Sequence, residues 1–267
     1  RKLIITVAAS APTLYYYCHY HSGMGGAINT NTTLGSSNFD GSIQSTVKAN
    51  TTAGFSIATW VSDGSGSPTS FGHGLGVRPD FLIIKNRTGS GGNWQVWSST
   101  FSNATNNFIS LNLDTGTQTA GAAMWGTIDS SVVNFRHSAN SSNGNTMIGY
   151  FFSEVTGYSK VGTYTGNGST NGTFVFTNFR PAFILLKRTN SSASWVLHDS
   201  KRAGYNGDND YLHPDLSQAE SDGSSGTLDI LSNGFKLKMT AGTHNGSGDS
   251  YIYIAFAKSP FKNSRAR

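Results

Sequence analysis

The sequence predicts an all-β protein that contains two tandem, duplicated β-sandwiches of the jelly-roll or lectin-like kind, preceded by a β-hairpin. β-Branched and aromatic residues alternate with polar residues between clusters of Gly, Asn and Ser, a pattern typical of strands joined by turns. Charged residues make up only 12% of the chain, and few stretches contain the Ala, Leu, Glu and Lys that long helices need. A pair of strand-like runs also occurs twice, which indicates an internal duplication.

The duplicated pair consists of residues 78–87 followed by 94–99, and of residues 180–189 followed by 195–200. In each copy a Pro precedes an apolar run, a Lys ends the run, and a Trp begins the next run. The first run is too short and too rich in Phe, Ile and Leu for an amphipathic helix, so we expect a buried strand that begins a hairpin. Matches elsewhere in the chain keep the same order, with an offset of about 102 residues.

A repeat of about 100 residues has the size of one β-sandwich domain. We therefore expect residues 54–156 to form the first sandwich and residues 157–267 to form the second. Residues 28–53 are rich in Asn, Thr, Ser and Gly and are interpreted as a linker, with a short helical turn suggested by Phe39, Ile43 and Val47. Because the connection between the repeats is short, the two sandwiches are expected to lie close together.

The leading segment, residues 1–27, contains a Tyr-rich strand that ends at Cys18 and is followed by His21 and Met24. Thiolate, imidazole and thioether are the ligand types of mononuclear copper sites. The segment resembles the C-terminal end of a cupredoxin-like domain, and that resemblance implies a further His from an upstream strand. Because Cys18, His21 and Met24 are an incomplete set, we favour the end of such a domain, or an exchanged strand segment, without metal.

The densest polar region of the chain lies between Asp199 and Asp215. A pair of these acids would suit a polysaccharide-degrading enzyme, and the oxygens of Asp208, Asn209 and Asp210 would suit calcium. The first repeat lacks the equivalent acids. We therefore favour a solvated loop and expect no enzymatic activity, with the glycoside hydrolase and the calcium site as alternatives.

The five tryptophans are the remaining candidates for a binding site, because aromatic rings on β-sandwiches stack on sugars. Trp94 and Trp195 recur at matched positions of the two repeats, which favours a role in the cores. Trp97 corresponds to His198, and Trp125 has no clear counterpart. Trp97 and Trp125 are therefore the predicted ligand-binding residues.

The net charge of +5 is spread along the chain, and the basic residues near the C-terminus are interpreted as a solvated end rather than a nucleic-acid-binding arm. No apolar stretch approaches the length of a membrane span, so we expect no insertion into a membrane.

A resemblance to known proteins is carried by the leading segment and by residues 157–169, 179–183, 199–202, 232–237 and 251–257. Together these segments resemble a family of unknown function from tailed, often marine, bacteriophages, which occurs in large virion proteins similar to tail fibres. It implies a virion or extracellular protein that forms trimers or filaments and attaches to a host-surface glycan or protein. It implies no catalytic residues. The alternatives are the polysaccharide-degrading enzyme and the copper protein.

Overall fold

The computed structural model describes residues 35–89, 92–202, 206, 209–223 and 226–259, together with the backbone of residues 14–17 and 25–28. Strands β1 (Leu14–Tyr17) and β2 (Gly25–Ile28) pair antiparallel with each other, as the predicted leading hairpin requires. Regular structure in the described residues is strand throughout, apart from 3₁₀ turns at Thr51–Ala53 and His137–Ala139. The prediction of an all-β fold is confirmed.

The first repeat contains two antiparallel sheets. Its strands are β3 (Ser36–Asn38), β4 (Ser45–Asn50), β5 (Phe55–Val61), β6 (Thr69–Gly72), β7 (Phe81–Asn86), β8 (Gln95–Ser98), β9 (Asn107–Ser110), β10 (Gln118–Thr119), β11 (Trp125–Ile128), β12 (Val132–Phe135) and β13 (Thr146–Phe152). The larger sheet has the strand order β10-β9-β8-β7-β13-β5-β4-β3. The smaller sheet has the order β11-β12-β6.

The second repeat has the same architecture with fewer strands. Its strands are β14 (Ser159–Thr165), β15 (Phe174–Phe176), β16 (Pro181–Arg188), β17 (Val196–Asp199), β18 (Tyr211–Leu212), β19 (Leu228–Leu231), β20 (Gly234–Leu237) and β21 (Ser250–Ala257). The larger sheet runs β14-β21-β16-β17-β18 and the smaller sheet runs β15-β20-β19. Apart from β3, β4 and β10, each strand of the first repeat has a counterpart at the same place in the second.

The two Pro-led runs form the predicted strands β7 and β16. Each strand lies inside its sheet, between the strand that follows it and the last strand of its repeat. Phe81 and Phe183 mark equivalent places, because they lie opposite Phe152 and Phe256. Strand β7 buries Phe81, Leu82 and Ile84, and β16 buries Ile184, Leu185 and Leu186, as their apolar sequences predict.

The predicted linker at residues 28–53 contains strands instead. Strand β4 pairs along almost all of β5, and β3 pairs with β4. The suggested helical turn is also absent, because Val47 lies in β4, Ile43 forms a bridge to Phe71, and Phe39 is 75% exposed. Strand β4 buries only Ser45 and Val47, so its alternation is concealed by its polar composition.

The two repeats share a hydrophobic core. Side chains from one face of the second repeat's larger sheet, including Leu185, Ile252 and Ile254, belong to the core cluster of the first repeat. The alternate residues of the same strands pack with the smaller sheet of their own repeat, as Ile184, Leu186 and Tyr253 do. The period of two along each strand therefore gives that sheet two buried faces.

Hydrogen bonds between the repeats fix the alignment of this shared core. The indole N–H of Trp195 donates to the carbonyl oxygen of Ser110 at 2.9 Å. The amine of Lys187, which is fully buried, donates to the carbonyl oxygens of Asp114, at 2.7 Å, and Ala193. Two backbone bonds, from Thr117 to Thr189 and from Ala193 to Asp114, connect the same region. The contact therefore combines apolar burial with satisfied polar groups.

We expect the Trp195→Phe substitution to lower the free energy of unfolding by about 1–3 kcal/mol, because it removes a donor from the buried Ser110 carbonyl. Since the repeats share a core, the variant should still unfold in one calorimetric transition, at a lower Tm. Trp94→Phe is the control, since the Trp94 ring is only half-buried and stacks near Tyr150. Equal losses in the two variants would contradict the assigned role of the Trp195 bond.

Candidate functional site

The structure places both predicted sugar-binding tryptophans in the core of the first repeat. Trp97 and Trp125 have no exposed surface. Their indole N–H groups donate to the carbonyl oxygens of Ala104 at 2.8 Å and Asn107 at 3.0 Å. A ring without an open face cannot stack on a sugar, so the prediction for Trp97 and Trp125 is wrong. Burial of a Trp that satisfies its N–H within the protein is the ordinary alternative.

The predicted copper ligands Cys18, His21 and Met24 lie outside the described residues. Within the described residues, no group of three or more His, Cys, Asp or Glu side chains is arranged to hold a metal ion. The copper site therefore stays a prediction that the described part of the chain does not address.

The described acids of the region 199–215 contact the protein itself. The Asp199 carboxylate accepts hydrogen bonds from the backbone N–H groups of Lys201 and Arg202, and it pairs with the Arg202 guanidinium at 2.8 Å. The Asp210 carboxylate accepts from Gly223 N at 2.9 Å. These bonds hold the loop in shape, as Asp side chains do in turns.

The calcium hypothesis has only two of its three residues in the described part of the chain, because Asp208 lies outside it. The Asn209 side chain is almost fully buried, and its amide donates to the carbonyl oxygen of Leu228. The Asn209 amide oxygen lies near Asn206 N, at 3.4 Å. Asn209 thus connects this loop to strand β19 and does not extend into solvent as a ligand would.

The same region contains a buried histidine pair that was not predicted from the sequence. His198 and His244 are both fully buried, and their Nε2 atoms lie 3.1 Å apart. Such a bond needs one N–H and one lone pair, so the ring that accepts it must be neutral. The Nδ1 atom of His244 contacts the Thr243 hydroxyl at 2.8 Å. The sequence feature that could have indicated a buried His198 is the alternation of β17, in which Val196 and His198 face inward.

Burial disfavours the charged form of both rings. It is the largest cause that lowers the pKa of His198 well below its usual value, with His244 and His213 adding to the effect. Burial, followed by His213, lowers the pKa of His244 to about 3. Protonation of either ring would place an uncompensated charge inside the second repeat.

The open edges of the second repeat form a groove that has no equivalent in the first repeat. In the first repeat, β4 covers the edge of β5, and Ser42 N and Ile43 N both donate to Ser70 O, at 2.9 Å, on the edge of β6. Residues 41–50 therefore cover both edges on that side of the sandwich. In the described residues of the second repeat, β14 and β15 are edge strands without such cover.

The uncovered side of the second repeat contains a cavity of about 370 Å³. It is lined by Glu154, Thr156, Gly157, Ser159, Lys160, Phe176, Thr177 and Asn178. These residues come from the connection between the repeats, from the start of β14 and from the end of β15. We call this cavity the edge groove.

Strand β15 exposes two aromatic rings, of which Phe176 lines the edge groove. Phe174 is 44% exposed and Phe176 is 56% exposed, while Val175 between them is buried. The burial of Val175 and the opposite orientation of its neighbours follow from the alternation of a strand. An exposed pair of Phe side chains on one strand is unusual enough to indicate a contact surface.

Phe176 stands where the first repeat has a glycine. Phe71 and Val175 are the buried hydrophobic residues of β6 and β15, and the next residues are Gly72 and Phe176. A Cβ atom at Gly72 would collide with the Asn38 side chain of β3. The covering strands thus require glycine in the first repeat, and a Phe is compatible with the open groove of the second.

Charged groups complete the edge groove. The Lys160 amine pairs with Glu154 Oε2 at 2.8 Å, and Glu154 Oε1 accepts a hydrogen bond from Val161 N at 3.0 Å. The carboxylate therefore accepts the hydrogen bond of a backbone N–H at the β14 edge. A further strand cannot pair with that N–H. An exposed aromatic ring beside hydroxyl, amide and charged groups can take a polar ligand that has one apolar face, as sugars have.

We expect the stability of the protein to fall as the pH decreases below about 6.5. In this range the unfolded chain protonates its histidines, whereas the folded chain keeps His198 and His244 neutral. The loss should reach about 1.4 kcal/mol per pH unit for each histidine. Urea unfolding at pH 7, 5.5 and 4.5 measures this dependence.

The double variant His198→Gln/His244→Gln provides the comparison. It should show a shallower pH dependence. The remainder should come from His73 and His137, whose pKa values are lowered by burial, and from Asp129, whose pKa is lowered by backbone N–H groups. An unchanged slope in the double variant would show that the pair is not responsible.

Comparison with known proteins gives a match to a protein family but not to an individual protein. No curated protein and no solved structure matches the chain. Within the described residues, no helix has the length and apolar character needed to cross a membrane. The sequence profile of a family described as "Domain of unknown function (DUF7483)" matches residues 29–260, which include both repeats and the strands β3 and β4. The chain therefore belongs to the family of domains described as DUF7483.

Proposed function

We propose that this chain is a structural and adhesive subunit of a virion fibre or a similar extracellular appendage, and that it binds a host-surface glycan in the edge groove. The resemblance of its sequence to phage tail-fibre-like proteins supports the location. The groove supports the adhesive role, because it combines the exposed Phe176 ring with polar side chains.

The observation that carries this proposal is the exposure of Phe174 and Phe176 beside an uncovered sandwich edge. Leaving two Phe side chains in water costs part of the roughly 1.5–3 kcal/mol that burying each would contribute. A sugar ring stacked on Phe176 would remove apolar surface from water, and its hydroxyls would bond to the polar groups of Lys160 and Asn178.

The shared core of the repeats supports the structural part of the proposal. Because Trp195 and Lys187 bond across the boundary, the groove is held on a rigid two-sandwich body rather than on a mobile module. A fibre would carry several copies of this body as a trimer or filament. Weak individual sites on such an assembly add up through their high effective concentration.

Substitution of Phe176 by Ser tests the proposal. We expect the wild-type protein to bind at least one polysaccharide on an array of bacterial capsules and O-antigens, and Phe176→Ser to weaken that binding about threefold to tenfold, as loss of stacking predicts. The Tm should change little, because Phe176 is already 56% exposed.

Phe39→Ser is the matched control, because it removes an even more exposed Phe from the first repeat, away from β14 and β15. It should leave binding unchanged. If the wild-type protein bound no polysaccharide, or if both Phe variants behaved alike, the edge groove would not be the adhesive site.

A further inference from the structure

A second cavity lies beside the edge groove and has a different chemical character. It has a volume of about 160 Å³ and is lined by Phe179, Arg180, Ser232, Lys258 and Ser259. Phe179 is buried and forms its floor, while the other four side chains supply two cationic groups and two hydroxyls. We call this cavity the basic pocket.

The backbone places the two cationic residues of the basic pocket side by side. Arg180 immediately precedes β16 and Lys258 immediately follows β21, and Lys258 N donates to Arg180 O at 2.8 Å. Both residues line the same pocket, so an anion bound there would contact two cationic side chains. The ion pairs among the described residues do not include Lys258.

The first repeat carries the opposite charge at the position of Lys258. Phe152 and Phe256 occupy equivalent places, and two residues further along the chain these are followed by Glu154 and Lys258. The equivalent of Arg180 is Arg78, whose guanidinium donates to Ile128 O and lies 5.1 Å from the centre of the Trp97 ring. Two adjacent cationic groups are thus a property of the second repeat.

The basic pocket and the edge groove are lined by consecutive residues. Phe176, Thr177 and Asn178 line the groove, and Phe179 and Arg180 line the pocket. From Phe176 to Arg180 the chain can span at most about 14 Å. The backbone between them is fixed, because Thr177 N and Asn178 N both donate to Asn233 O, at 3.0 and 3.2 Å.

We propose that the ligand of the edge groove is an acidic glycan, and that its carboxylate or sulfate group binds in the basic pocket. The Arg180 guanidinium is suited to planar bidentate contact with a carboxylate. The Lys258 amine and the hydroxyls of Ser232 and Ser259 can donate to the same oxygens. This inference rests on the proposed glycan-binding function, and it adds the charge of the ligand.

Three oligosaccharides of equal length test the inference by isothermal titration calorimetry. A hexamer of galacturonic acid supplies carboxylates, a sulfated galactose hexamer supplies sulfate esters, and the methyl ester of the galacturonic acid hexamer is the neutral counterpart. We expect the wild-type protein to bind one of the acidic hexamers at least tenfold more tightly than the ester. The acidic hexamer that binds more tightly identifies the anionic group.

Lys258→Glu introduces the charge that the first repeat has at this position, and Lys258→Gln removes the charge alone. Both should reduce binding of the preferred acidic hexamer, about tenfold or more for Lys258→Glu, and leave binding of the ester unchanged. Lys48→Glu, which makes the same change of net charge at an exposed position of β4, should have no effect.

Acidic hexamers that bind no more tightly than the ester would overturn the inference, and so would an equal effect of Lys48→Glu and Lys258→Glu. Either result would leave the glycan-binding proposal intact if Phe176→Ser still weakened binding on the polysaccharide array. Loss of array binding in the wild-type protein would instead remove the proposed function itself.

Discussion

The short connection between β13 and β14 determines how the two repeats differ. In the first repeat, the segment before β5 is long enough to run back along it as β4 and to pair with it. In the second repeat, only residues 153–158 separate β13 from β14, so no strand precedes β14 along its edge. The edge groove and the exposure of Phe176 both follow from this difference in chain length.

Duplication of the sandwich thus produced two unequal copies. The first repeat uses the space at its edges for its own strands, and Gly72 makes room for Asn38 there. The second repeat leaves the same space open and protects its edge with the Glu154 carboxylate, which accepts from Val161 N. A charged group on an exposed edge prevents pairing with other chains and still leaves the groove available to a ligand.

The sequence predicted the strands whose apolar residues are continuous or recur in both repeats, such as Phe81–Ile84 and Phe183–Leu186. It did not reveal β4, because a strand that buries Ser45 as well as Val47 has no visible apolar alternation. Burial of Trp97 and Trp125 was also missed, since a lack of a repeated counterpart says nothing about exposure. The groove depends on the absence of cover over β14, which only the arrangement of strands in space reveals.

The amine of Lys187 binds main-chain oxygens of residues 114 and 193, not their side chains. Burial lowers the pKa of Lys187 to about 8, with Asp215 and Asp114 opposing the change, yet the neutral amine retains N–H donors for both carbonyls. Natural variants can therefore exchange the side chains at 114 and 193 without losing this link. Positions 114 and 193 should therefore tolerate more substitutions than position 187.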